Sequence, residues 1–155
     1  MNELTVVELN FADEMLLVGV DLVYILAGIA LLFVAKKVQD WLTPYSLDVE
    51  LRDHDNPALG LALCGYLIAV ICIFIGAALG DDIETVPSLS DFALVLAEDL
   101  AYALAGILAL NFGRVVVDRA ILYRFSVAKE IIEDRNVGTG AVEAGALIAT
   151  GLIVA

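Results

Sequence analysis

DLVYILAG (Asp21–Gly28) and DLAYALAG (Asp99–Gly106) agree at Asp21/Asp99, Leu22/Leu100, Tyr24/Tyr102, Leu26/Leu104, Ala27/Ala105 and Gly28/Gly106. An apolar segment that recurs with a carboxylate at its head points to duplication of a larger unit. A second match lies further along each half. SLDVELRDHDN (Ser46–Asn56) aligns with SVAKEIIEDRN (Ser126–Asn136), pairing Ser46/Ser126, Glu50/Glu130, Asp53/Glu133 and Asn56/Asn136. The second connection is two residues longer than the first, and a segment rich in small residues follows each Asn.

The repeated unit is too apolar for water. Of the 155 residues, 61% are hydrophobic, and the mean hydropathy is +0.92. A soluble domain of that composition would have to expose large apolar patches. Four runs instead have the length needed to cross about 30 Å of hydrocarbon at about 1.5 Å per residue. They are Met15–Ala35, Pro57–Leu79, Phe92–Gly113 and Val137–Ala155. Backbone polar groups in lipid must be bonded within their own segment, so each run reads as a helix. The alternation expected of membrane β-strands is absent from runs this long. The acidic opening MNELTVVELNFADE lacks the basic flank of a secretory leader, so no cleaved leader is expected.

All eight Lys and Arg fall on one side of this pattern. Lys36, Lys37 and Arg52 flank the connection between the first two runs; Arg114, Arg119, Arg124, Lys129 and Arg135 flank that between the last two. The positive-inside rule therefore predicts cytoplasmic connections at 36–56 and 114–136, with both termini outside. A half with two spans re-enters the membrane in its original direction. The expected fold is thus all-α and polytopic: one membrane domain, residues 1–155, of four transmembrane helices. It is built as two parallel-repeat hairpins, 15–79 and 92–155, related by a pseudo-two-fold along the membrane normal.

Residues Thr43-Pro44, the following Glu-hydrophobic stretch, DNPALGLALCG and RNVGTGAVEAG carry a resemblance to the YjfL family of small membrane proteins, the domain of unknown function 350. The most specific element is the Asn before each small-residue helix, Asn56 and Asn136. NPAL and NVGT depart from the Ala-Ala common in that family at this point. The resemblance implies a duplicated two-helix unit in a bacterial-type inner membrane, in some cases associated with envelope-stress proteins of the phage-shock kind. It implies no catalytic residues.

Small residues mark where helices can approach closely. Ala97, Ala101, Ala105, Ala109 and Gly113 recur every four residues, Ala141, Gly145 and Ala149 repeat the pattern in the fourth run, and Gly76 and Gly80 lie in the second. The spacing is expected to serve packing between the two halves of one chain; its other use is contact with a second copy. A homo-oligomer is an expected partner, alongside the lipid bilayer itself.

Ionisable residues inside a span cost several kcal/mol unless paired, hydrated or neutralised, and so suggest function. Asp21, Asp99, Glu98 and Glu143 are the candidates for binding a proton or a cation. Tyr24 and Tyr102 share a helix face with the two aspartates, and Asn111 adds an amide. Glu143 stands where the first half has Leu63, so it breaks the symmetry. A competing reading makes Asp21 and Asp99 helix N-caps at the outer headgroups. From Arg114 to Asn136 the spacing of Val117, Ile121, Phe125, Ala128 and Ile132 predicts a helix, while Trp41 and Tyr45 read as interfacial anchors.

A net charge of −13 argues against nucleic acid as a partner. Cys64 and Cys72 stand about 12 Å apart along one helix, too far to bridge. His54 reads as a solvated residue, and with no Cys/His cluster no metal or other cofactor is expected. No nucleophile–base constellation or nucleotide loop appears, so catalysis is not expected. Two functions fit: a channel or transporter component for protons or small cations, or a non-conducting scaffold that binds an envelope-stress protein through its connections.

Overall fold

The computed structural model of the chain describes residues 10–79, 88–116 and 126–155. Within them lie the helices α1 (Phe11–Leu42), α2 (Leu47–Arg52), α3 (Pro57–Ala78), α4 (Leu89–Val116), α5 (Val127–Ile132) and α6 (Val137–Val154). Four of these, α1, α3, α4 and α6, are long and apolar enough to cross a membrane. The fold is all-α and of the multi-pass membrane type.

Two of the four long helices, α1 and α4, start earlier than hydropathy alone predicts, while α3 and α6 start where expected. Asn10 caps α1 by accepting from the N–H groups of Ala12 and Asp13, and the Asp13 carboxylate accepts from the N–H of Asn10 in return. Helix α4 likewise begins at Leu89, before Phe92. Asp21 and Asp99 therefore each lie ten residues inside a helix, about 15 Å beyond its first residue. Neither is an N-cap of its helix.

Helix α3 is the centre of the molecule and packs against α6, α4 and α1. Its closest partner is α6, where small residues bring the two backbones together: Gly65 meets Ala144, Gly140 meets Ala58, and Gly76 meets the terminal Ala155. A Cβ on Gly151 would stand 2.7 Å from the Cα of Ala69, too close to exist. Lipid tails supply no hydrophobic drive between helices, so this close van der Waals fit holds the pair together. The glycines of the opening motif serve α3 as well. Gly106 leaves room for Ile73, and a Cβ on Gly28 would stand 3.2 Å from the ring of Phe74. Adjacent residues of α3 thus receive both copies of the motif.

The small-residue stripes do not pack as the four-residue spacing predicts. Ala97, Ala101, Ala105 and Ala109 face outward on α4, and a Cβ on Gly113 would touch nothing within 4 Å. In α6, Ala141, Gly145 and Ala149 are exposed, whereas Gly140, Ala144 and Gly151 are buried. The spacing is right for a helix face, but α6 turns a neighbouring face toward α3. Gly76 is used as expected; Gly80 lies outside the described residues.

The two connections fold alike. Ser46 and Ser126 cap α2 and α5, accepting from the N–H groups of Val49 and Lys129. The N–H groups of Asp53 and His54 both donate to the carbonyl of Val49, as those of Glu133 and Asp134 do to Lys129. Asp55 and Arg135 take left-handed backbone angles, φ 47° and 48°. Asn56 and Asn136 then cap α3 and α6. Among the described residues, the continuous helix expected from Arg114 to Asn136 does not hold: Ser126 is non-helical, as the cap that starts α5, and α5 ends at Ile132 before Asn136 caps α6. Val117, Ile121 and Phe125 lie outside the described residues.

Candidate functional site

The two halves meet at a buried carboxylate. Asp99, on α4, is only 5% exposed, and the hydroxyl of Tyr24, on α1, donates to its Oδ2 at 2.7 Å. The Tyr24 ring is fixed between Phe74 of α3, with centroids 6.1 Å apart, and Phe92 of α4, edge-on at 5.9 Å. These apolar rings flank Tyr24 on two sides while its hydroxyl reaches the buried carboxyl. Among the described residues, no Lys or Arg forms an ion pair with Asp99. Such an arrangement can take up or release a proton, or accept a small cation beside the tyrosine.

The other candidates do not join it. Asp21, its counterpart, is exposed on α1, and Glu98 faces outward on α4. Tyr102, the counterpart of Tyr24, donates instead to the carbonyl of Val154 at the end of α6. Sequence symmetry suggested two equivalent Asp–Tyr pairs; the structure holds one pair, assembled from opposite halves.

Glu143 belongs to a second polar cluster, nearer the connections. Its Oε1 lies 2.6 Å from Nε of Arg114, with both side chains largely buried. Arg114 also donates to the hydroxyl of Tyr45 at 3.2 Å. Beside them the amide of Asn111 donates to the hydroxyl of Tyr66 and to the carbonyl of Ile107, each at 2.8 Å. Tyr66 in turn reaches the carbonyl of Ala35. Glu143 is therefore charge-compensated, which disfavours it as a separate cation site. The sequence marked both charges, Glu143 in place of Leu63 and Arg114 at the end of the third run, but not their pairing; Tyr66, inside an uncharged run, gave no signal at all.

At the connections, Asn56 is buried and its amide crosses to the carbonyl of Ile131 in the other half, at 2.8 Å. Asn136 is exposed and donates to its own half, to Oε2 of Glu130 at 2.9 Å. Lys36 forms an ion pair with Asp48, whose carboxyl it holds below the usual range by hydrogen bond and charge. His54, expected to be solvated, is half-exposed and pairs with Glu50 at 3.0 Å. Tyr45 is held by Arg114, while Trp41 stands 83% exposed, as an interfacial residue would.

Residues 14–155 match the family described as Domain of Unknown Function (DUF350). The chain belongs to this family. The match takes in all four long helices and both connections. No curated protein matches the chain, and no solved structure does.

Proposed function

We propose that this chain moves protons or small cations across the inner membrane, as a channel or transporter component, with Asp99 as the group that takes the ion and Tyr24 as its partner. The observation that carries this reading is the burial of Asp99 inside an apolar span with a tyrosine hydroxyl 2.7 Å away. Intramembrane carboxylates are costly and rarely kept without a use. The clustering of Lys and Arg at 36–52 and 114–135 supports an orientation with the connections in the cytoplasm and both termini outside. The outward stripe of Ala97, Ala101, Ala105 and Ala109 is the surface on which we place a second copy.

The test is reconstitution in liposomes, with proton and monovalent-cation flux measured under imposed gradients. Flux in the wild type that falls at least tenfold in a still-folded Asp99→Asn supports the reading. Absence of flux under every gradient overturns it.

A second reading is favoured by a different observation. The backbones of α3 and α6 are in contact, and the two connections present matching Ser-capped turns at one end of the molecule. A non-conducting scaffold that binds an envelope-stress protein through 36–56 and 114–136 would have these features. It predicts capture of that partner by the wild type and loss of capture when the surface of α2 or α5 is altered, with no flux in either.

A further inference from the structure

Between α1 and α3 runs an open groove of about 520 Å³, within the roughly 300–1,000 Å³ range typical of small-molecule sites. Its polar side chains are Asp21 and Tyr24, both at the end nearest the start of α1; the rest of its lining, down to Leu32 and Val70, is apolar. Gly28 opens the floor of the trough beside Phe74. From Asp21 to Leu32 the groove extends about 16 Å along α1, close to half of a hydrocarbon core about 30 Å thick. A polar mouth above an apolar trough of this length has the dimensions of a single lipid with one acyl chain laid in it.

The charge at the mouth selects the headgroup. Asp21 is exposed there, and Asp99 stands behind Tyr24. Residues 1–35 and 53–113 contain no Lys or Arg. An anionic headgroup would meet uncompensated negative charge, whereas an ammonium group would find a carboxylate partner. We infer that the groove between α1 and α3 is a binding site for a phospholipid with an ammonium headgroup, its acyl chain in the trough and its ammonium group at Asp21. This site does not depend on ion movement through Asp99, since lipid retention and flux are read separately.

The test uses the full chain in vesicles of phosphatidylethanolamine and phosphatidylglycerol, each spin-labelled in turn. The motionally restricted fraction gives the relative association of the two lipids. The wild type is expected to favour phosphatidylethanolamine about five-fold or more, the equivalent of about 1 kcal/mol for one close charge pair. Asp21→Asn is expected to bring that preference close to unity. Ile29→Trp, which fills the trough from an exposed position, is expected to abolish it, whereas Leu108→Trp on the outward face of α4 leaves it unchanged. Equal retention of the two lipids by the wild type, or a preference that survives Asp21→Asn, overturns the inference. So does an oligomer that Ile29→Trp dissociates with no change in lipid preference, because the occupant would then be a helix of a second copy.

Discussion

Asp21 and Asp99 hold the same place in two copies of one motif, ten residues into α1 and α4, yet only Asp99 is buried. The same divergence separates Tyr24 from Tyr102 and Asn56 from Asn136. In the tyrosine and asparagine pairs one residue reaches into the other half of the chain, and its counterpart is spent locally or at a helix end. The cause is the placement of α3. Both motif glycines admit α3, Gly28 at Phe74 and Gly106 at Ile73, so α1 and α4 crowd around one central helix instead of flanking a symmetric pair. Tyr24 is thereby brought to Asp99, while Asp21 is left at the open groove. Near-identical sequence on two helices has produced one buried site and one surface site.

The comparison is most severely tested at the helix contacts. Gly140→Leu would drive a side chain into the backbone of Ala58 and is expected to cost about 3 kcal/mol or more. Gly145→Leu, on the outward face of the same helix, is expected to leave thermal unfolding in detergent unchanged. At the connections, Asn56→Ala removes the cap on α3 and the bond to Ile131, and is expected to cost about 2–3 kcal/mol. Asn136→Ala removes an exposed cap and is expected to cost about 1 kcal/mol. Similar losses for the two asparagines would show that the crossing bond contributes little.

Smaller effects sharpen the site itself. Tyr24→Phe leaves the Asp99 carboxylate without its donor and is expected to cost about 1–2 kcal/mol. Tyr102→Phe loses one bond near a chain end and is expected to cost about 0.6 kcal/mol or less. Unfolding of the two variants side by side in the same micelle makes that comparison. The smallest effect is set by pH. Asp48 is lowered in the folded protein, so its ion pair with Lys36 is complete above the usual carboxylate range and is lost as pH falls through the lowered value. Lys36→Met is expected to flatten that acid-side loss while leaving stability near neutrality almost unchanged, since the pair is at the surface.

Much of the fold was legible because lipid imposes simple rules on sequence. Long apolar runs must be helices, and the four runs lie in the four long helices; α1 and α4 start four and three residues early, in polar turns that hydropathy does not register, and α1 continues seven residues beyond Ala35 through the charged stretch to Leu42. The recurrence of Ser46, Glu50 and Asn56 as Ser126, Glu130 and Asn136 was legible, but the turns were not: apolar spacing from Arg114 to Asn136 read as one helix, whereas the Ser and Asn side chains act on the backbone within three residues. Rotation of a helix about its axis was not legible. A shift of one residue moves the packed face by about 100°, and small residues lie on both faces of α6, so Gly145 was indistinguishable from Gly140 or Gly151. The candidate site was half legible for the same reason. Asp99 and Tyr24 stand out by residue type, but their pairing depends on where α3 seats the two motif helices. The partnership of Glu143 with Arg114 likewise needed the relative height of α4 and α6.

The central claim is that the buried aspartate, and not its exposed twin, carries the ion. Proton flux into liposomes containing Asp21→Asn and Asp99→Asn separately, each shown to be folded by its unfolding transition, tests this directly. The account predicts flux near the wild-type level in Asp21→Asn and at least a tenfold loss in Asp99→Asn. Equal loss in both, or full flux in Asp99→Asn, would contradict it.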